Sequence, residues 1–280
     1  MIVFKLAEAL WNYLDKAKKE GKKIGFVPTM GALHEGHISL IHTSRSENEL
    51  TVCSIFINPT QFNNSEDFRL YPVTIEEDIE KLMTAGCEVL FLPSVPEIYP
   101  EGSLKKKYEL GSLESILEGY YRPGHFQGVC QVVDRLLDIV MPDNLYMGQK
   151  DFQQCLVIKK LLNITGKEKT VKLVIHPTVR QADGLAMSSR NLRLNKEEKA
   201  LAISLYNELS TIKARLKSDP VEVLKKQAEE HLQQKGFSID YVEIARVADL
   251  GKATDTSQPL VALVAASIGQ IRLIDNMLLN

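Results

Sequence analysis

A chain of 280 residues, 44% hydrophobic and 25% charged, is long enough to bury its own core as one large domain or a large and a small one, without a metal or disulfide staple. Lys and Arg number 34 against 36 Asp and Glu, a formal net charge of −2, and the lack of a basic excess disfavours a dedicated nucleic-acid partner. The four cysteines, Cys53, Cys87, Cys130 and Cys155, form no C-x-x-C pair, so neither a zinc knuckle nor a dithiol redox motif is supported.

In chain order, residues 6–19 carry a helical stripe of Leu6, Ala9, Leu10, Tyr13, Leu14 and Ala17. A short buried strand follows over 23–27 and ends at Pro28, and a helix continues over 38–46. The near-continuous apolar run 50–57, stopped by Asn58-Pro59, reads as a parallel strand. Residues 75–85 form a helix closed by Gly86, and 88–92 a strand. Lys105-Lys106-Lys107 reads as a solvated loop. A long helix over 127–140 stops at Met141-Pro142, and a strand over 145–147 leads into Gly148. A helix over 151–164 and a strand over 172–175, closed by His176-Pro177, complete the series. Repeated strand–helix units predict a Rossmann-like parallel sheet with helices on both faces.

Beyond about residue 180 the texture changes. Two charged helical segments, 195–216 and 220–235, precede strands over 240–247, 260–267 and 271–273. The expectation is an α/β domain over 1–176 and a smaller α+β domain over 177–280. The N-terminus shows no secretory pattern, and no run reaches the roughly 18 to 20 apolar residues of a membrane span. These features point to a reduced, cytoplasmic protein without a membrane partner, and Cys53 and Cys155 read as small core residues.

The most informative stretch is Pro28-Thr29-Met30-Gly31-Ala32-Leu33-His34-Glu35-Gly36-His37. It joins a strand to a helix, where a parallel sheet offers helix-terminal amides to anions. Gly31 and Gly36 have the spacing of P-loop glycines, but His37 and Ile38 replace its Lys and Ser/Thr, so a P-loop is excluded. No G-x-G-x-x-G is present, which counts against a dinucleotide-binding oxidoreductase. Three readings of His34 and His37 stand open. They are metal ligands lacking an evident third partner, or structural histidines, or neutral imidazole donors facing phosphate at a helix start.

Further on, Gly148-Gln149-Lys150-Asp151-Phe152-Gln153-Gln154 again joins strand to helix. Lys150 supplies positive charge and Asp151 is placed as an N-cap, although a plain turn with a solvated lysine explains the same residues. Met187-Ser188-Ser189-Arg190, after Asp183-Gly184, offers two hydroxyls and a guanidinium to a polyphosphate; alone it is also an ordinary loop. Asn58 and Gln61 follow the end of a central strand, where ligands bind in such sheets, or simply cap a turn. Arg122-Pro123-Gly124-His125-Phe126 reads as a turn before a helix, and His42, His176 and His231 as structural or surface residues.

Together these blocks resemble a known family. His34-Glu35-Gly36-His37 resembles the HIGH-type signature of the nucleotidyltransferase superfamily that includes class I aminoacyl-tRNA synthetases, and Met187-Ser188-Ser189-Arg190 its KMSKS-type signature. The ordered set, with Phe56-Ile57-Asn58-Pro59-Thr60-Gln61-Phe62 and ending at Arg272-Leu273-Ile274-Asp275-Asn276, is similar to the pantothenate synthetase (pantoate–β-alanine ligase) family. A tRNA synthetase would need an anticodon-binding domain, and a phosphopantetheine adenylyltransferase would leave the residues after 176 unexplained. A nucleotide-binding module without catalysis would make Lys150 and Arg190 incidental.

The resemblance implies ATP-dependent condensation of pantoate with β-alanine through pantoyl adenylate, releasing AMP and pyrophosphate, by a homodimer with Mg2+ accompanying ATP. It further implies that Met30, Gly31, Ala32, Leu33, His34, Glu35, Gly36 and His37 contact ATP, with His34 and His37 donating to phosphate. By the same resemblance Lys150 neutralises phosphate charge, Ser188, Ser189 and Arg190 hold the β and γ groups, and Met187 contacts ATP. Gly148, Gln149, Asp151 and Val179 lie at the nucleotide. Gln61 and Gln154 grip pantoate, and Asn58 lies beside the path of β-alanine. His34, His37, Lys150 and Arg190 are the expected catalytic groups, and no residue is assigned as a protein metal ligand.

Overall fold

Apolar runs separated by helices become parallel strands, because each crossover returns the chain to the same sheet direction. The computed structural model describes residues 1–101 and 106–280; Lys105 of the basic run lies outside the described residues. The chain divides into two units, Met1–Gly148 with Val157–His176, and Gln149–Leu156 with Pro177–Asn280. This differs from a single cut after 176 only in the segment Gln149–Leu156, which packs with the second unit.

In the first unit the chain runs β1 (Ile2–Phe4), α1 (Ala7–Lys19), β2 (Ile24–Thr29), α2 (Glu35–Glu47), β3 (Leu50–Ile55), α3 (Ser65–Arg69), α4 (Ile75–Thr84), β4 (Val89–Phe91), α5 (Val95–Ile98), α6 (Glu118–Tyr121), α7 (His125–Val140) and β5 (Asn144–Gly148). The helix α8 (Phe152–Thr165) begins in the second unit and leads back to β6 (Lys172–His176). The sheet order is β1-β4-β3-β2-β5-β6, and every neighbouring pair is parallel. Strand side chains alternate between faces. On one face Val27, Cys53 and Leu90 pack with Leu33, Ile41 and Leu82 from the loop after β2, α2 and α4. Phe26 and Val52, which point the other way, are equally buried, so both faces are covered. The chain leaves β2 toward β3 on one side while β5 lies on the other, and the ends of β2 and β5 flank the point where strand order reverses, the usual place for a ligand in such sheets.

Among the departures from the sequence expectation, three in the first unit have evident local reasons. The edge strand β1 is three residues with Ile2 and Val3 exposed, too short to show periodicity. Helix α2 starts at Glu35 rather than 38, because His34 caps it. Helix α7 starts at His125, directly after Gly124 in the left-handed region.

The second unit contains α9 (Lys196–Arg215), α10 (Val221–Gln234), β7 (Ser238–Arg246), β8 (Leu260–Ile268) and β9 (Ile271–Leu278). Asn195 caps α9 in a reciprocal box with Glu198, and Pro220 stands before α10, where a missing N–H costs nothing. The strands form an antiparallel sheet in the order β7-β8-β9. Leu205, Leu209, Leu224, Leu232 and Val264 are part of the core between helices and sheet. Strand β9 extends five residues past the expected 271–273, because Asp275 and Asn276 interrupt its apolar pattern while remaining buried. Among the described residues no helix is long and apolar enough to cross a membrane.

Candidate active site

The loop after β2 is held by groups from neighbouring strands and from α4. Thr29 Oγ1 donates to Ser54 O at 2.7 Å and accepts from the Gly31 amide at 3.2 Å. Gly31 and Ala32 then take φ of +81° and +49°, a left-handed pair that a non-glycine residue enters only when its surroundings enforce it. The enforcing group is Asp78, fully buried, whose carboxylate accepts from Ala32 N at 2.8 Å and Leu33 N at 2.7 Å. Thr74 Oγ1 donates to the same carboxylate at 3.2 Å, and Lys81 Nζ donates to Leu33 O at 2.7 Å. Sequence reasoning passed over Asp78, yet a signal was present. Residues 75, 78, 79 and 82 share one helical face, and Asp78 is the charged member of an otherwise apolar stripe.

His34 and His37 open α2 as a reciprocal cap. His34 Nδ1 accepts from Gly36 N at 3.2 Å, and His37 Nδ1 accepts from His34 N at 3.3 Å. The rings stack with centroids 4.0 Å apart. Because both Nδ1 atoms are acceptors, each neutral ring carries its proton on Nε2. In that tautomer each Nε2 is a donor and offers no lone pair to a metal ion. Glu35 and Gly36 occupy the first turn of the same helix.

A second cluster of the first unit surrounds the turn after β3. Asn58 is 1% exposed, and its carboxamide is engaged on both sides. Nδ2 donates to Gly128 O at 3.1 Å and Gln61 Oε1 at 3.3 Å, while Oδ1 accepts from the Tyr99 hydroxyl at 2.8 Å and Thr60 Oγ1 at 3.0 Å. Its role in this geometry is to fix Gln61 and Tyr99. Gln61 Nε2 lies 2.6 Å from Met30 Sδ, which brings together two residues expected at the site. His125 Nδ1 meets Gln61 O at 2.8 Å, and Arg122 meets His125 Nε2 at 3.1 Å. The turn before α7 thus supports the Gln61 backbone, a function its sequence did not announce. Gly128 permits the approach of α7, since a Cβ there would lie 2.2 Å from Thr60 O.

In the second unit Gln149, Lys150 and Asp151 form a single 3-10 turn just before α8. Lys150 Nζ lies 3.6 Å from Asp151 Oδ2, and its side chain is 18% exposed. Gln153 is buried and Gln154 half-buried. Val179 and Met187 face each other across a narrow hairpin, with Met187 N donating to Val179 O at 3.0 Å and Arg180 bridged to Ala186. Ser188 caps the 3-10 turn Ser189–Arg193 by accepting from Arg190 N at 3.3 Å. A cleft of about 620 Å³ in this unit is lined by Gln149, Thr178, Arg180, Tyr206, Lys213 and Asn276 among others; of the expected site residues only Gln149 lines it. Burial pushes the thiols of Cys87 and Cys130 up to about 12, and all four cysteines are buried and unpaired by disulfides, so none is a nucleophile near neutral pH.

A parallel sheet with a capped helix start at its strand-order reversal places the first unit in the α/β class that binds ligands beyond the carboxyl ends of its strands. The family model described as pantoate-beta-alanine ligase matches residues 2–278, and the chain belongs to that family. A pantothenate synthetase of Cytophaga hutchinsonii is 42% identical over 284 residues, covering 100% of this chain and 99% of the relative. One from Pseudomonas fluorescens is 45% identical over 268 residues, covering 95% and 93%. The crystal structure of pantothenate synthetase from Thermus thermophilus matches with a TM-score of 0.93 at 38% identity, covering 99% of each chain. That of the pantoate-beta-alanine ligase from Francisella tularensis, complexed with beta-gamma ATP and beta-alanine, matches with a TM-score of 0.82 at 38% identity.

Proposed function

We infer that this chain joins pantoate to β-alanine at the expense of ATP, and we assign its residues as follows. The pantoate carboxylate attacks the α-phosphorus of ATP, forming pantoyl adenylate and expelling pyrophosphate. The β-alanine amine then attacks the activated carbonyl and expels AMP. Neither step needs a covalent enzyme nucleophile, so catalysis rests on positioning and on stabilising charge that develops on phosphate oxygens.

In the first unit, Met30, Gly31, Ala32 and Leu33 shape the wall against ATP, with Glu35 and Gly36 in the helix start behind it. His34 and His37 donate through Nε2 to phosphate oxygens. Gln61 binds pantoate, while Asn58 holds Gln61 in place beside the entry of the amine. In the second unit, Lys150 neutralises the phosphates, and Ser188, Ser189 and Arg190 bind the pyrophosphate that leaves. Gln154 binds pantoate, Asp151 and Val179 contact the nucleoside, and Gln149 and Met187 contact ATP; Gly148, which ends β5 in the first unit, is likewise assigned to the nucleoside. Mg2+ enters as the counter-ion of ATP, part of the substrate. Homodimerisation and a cytoplasmic location are part of the same proposal, and light scattering tests the former as a mass near twice 31.5 kDa.

One observation carries the chemical reading. Two stacked histidines at a helix start have their Nδ1 atoms engaged by backbone amides, which directs two N–H donors to a place that favours anions. The experiment is pyrophosphate exchange into ATP without β-alanine, run with and without pantoate. Exchange that requires pantoate supports the adenylation half-reaction. Exchange with a different acid overturns the substrate, and ATP binding without exchange for any acid overturns catalysis.

A further inference from the structure

Strand β9 carries two polar residues that its other inward positions do not predict. Asp275 and Asn276 are 4% and 2% exposed, and buried polar side chains survive where their partners are built in. For Asn276 those partners lie outside its sheet. Nδ2 donates to Lys150 O at 2.8 Å and to Gln149 O at 3.0 Å, and Oδ1 accepts from Gln149 Nε2 at 3.2 Å. Three hydrogen bonds from one carboxamide therefore fasten the two-residue segment that presents Lys150. The neighbouring Asp275 is paired with Arg180. It receives both terminal nitrogens of the Arg180 guanidinium at 2.6 and 2.9 Å, and Arg180 donates further to Asn276 O at 3.1 Å and Gly184 O at 3.1 Å. Arg180 also stacks on Tyr206, 4.7 Å from the ring centroid.

We propose that Asn276 is a positioning residue for the ATP-dependent step, acting through the backbone of Gln149 and Lys150. This rests on the assignment of Lys150 to the phosphates made above. A lysine side chain is a flexible stem ending in a point charge, so its ammonium is only as well placed as the peptide it springs from. Misplacing a charge-stabilising group by about 1 Å is enough to lower a rate by about 10²-fold. The double donation from Nδ2 also explains why an amide stands at this buried strand position. An aspartate there would set an oxygen against two carbonyl oxygens, and an aliphatic residue would leave both carbonyls unmatched.

The test is pyrophosphate exchange by the full chain at saturating ATP and pantoate, with melting temperature measured in parallel. Asn276→Ala is expected to lower kcat for exchange by about 10- to 100-fold, with KM for ATP changed less than about threefold. The decisive measurement is a double-mutant cycle with Lys150→Ala. If Asn276 acts through Lys150, the double variant exchanges no more slowly than Lys150→Ala alone. Asn280→Ala serves as the control, because it also removes three side-chain hydrogen bonds from the end of this sheet, to Leu260 N, Thr256 O and Gln258 O; its kcat stays within about twofold of the parent. Should Asn276→Ala not fold, Asn276→Ser, too short to reach both carbonyls, takes its place in the cycle. Losses that multiply in the double variant, or a normal kcat for Asn276→Ala while Lys150→Ala is crippled, overturn the proposal and leave the Lys150 assignment standing. Normal exchange by Lys150→Ala overturns that assignment, and the clamp's catalytic role falls with it.

Discussion

A neutral imidazole has one proton to give, and the nitrogen that carries it decides what the ring can do. At His34 and His37 the backbone makes that choice by donating to both Nδ1 atoms. His37→Ala removes one Nε2 donor and also the acceptor for His34 N. The first loss is expected to slow pantoate-dependent pyrophosphate exchange by about 10² to 10⁴, as for other transition-state donors. The second, a lost helix cap, costs about 1 kcal/mol and lowers the melting temperature by only a few degrees. Near-normal exchange in that variant would remove His37 from the chemistry. Gln61→Ala is expected to raise KM for pantoate at least about tenfold, as the loss of a polar contact does, with KM for ATP changing less; equal losses would contradict the assignment. Both residues stand out in the sequence as candidates because they lie in short polar blocks directly after strands β2 and β3. Asp78 was harder to see, since its partners Ala32 and Leu33 lie 46 and 45 residues away, and only its place on an apolar helical stripe betrays it.

At the scale of elements, the same turn after β3 depends on how closely α7 approaches it. Asn58 donates to Gly128 O, and a Cβ at Gly128 would fall 2.2 Å from Thr60 O. Helix and turn cannot both keep their places if position 128 carries a side chain. Gly128→Ala gains intrinsic helix propensity, about 1 kcal/mol, and would stabilise a helix that had room for it. Here the clash is with backbone, so we expect a lower melting temperature and a KM for pantoate raised at least about tenfold, the scale of a displaced binding group. A variant more stable than the parent with unchanged KM would show that the turn yields without consequence. The strand–helix alternation, both charged helices and the switch to antiparallel strands were readable, because periodicity and breakers are properties of neighbouring residues. The first turn of α2 and the last five residues of β9 were not. A histidine cap has no strong sequence signature, and Asp275 and Asn276 look like a loop until their partners 95 to 127 residues away are known.

For the molecule as a whole, the least legible feature is a buried carboxylate that joins three stretches of the first unit. Asp134 of α7, 2% exposed, accepts from Lys106 Nζ at 2.8 Å and from the Tyr108 hydroxyl at 2.8 Å, and it pairs with Lys167, which also reaches Asp138 at 2.7 Å. Lys106 reaches this carboxylate while its side chain stays 63% exposed, in keeping with the expectation of a solvated loop. Burial alone would push the Asp134 carboxyl up, but hydrogen bonds from Lys106, Lys167 and Tyr108 outweigh it and hold the group below its ordinary value. A carboxyl depressed in the folded state binds its proton more readily in the unfolded chain, where its value is ~3.9. Its contribution to stability is therefore complete above about pH 5 and is lost as pH falls through the folded value. Asp134→Asn removes the charge, but Lys167 keeps Asp138 and Lys106 stays largely in solvent, so the expected loss at neutral pH is about 1.5 kcal/mol, that of hydrogen bonds to one charged group. Urea unfolding of parent and variant at a series of pH values should show that gap constant from pH 8 to about 5 and narrowing below about pH 4. A gap unchanged down to pH 2 would mean that Asp134 stays ionised throughout or contributes through packing alone, and a gap that widens on acidification would reverse the sign of its coupling to folding.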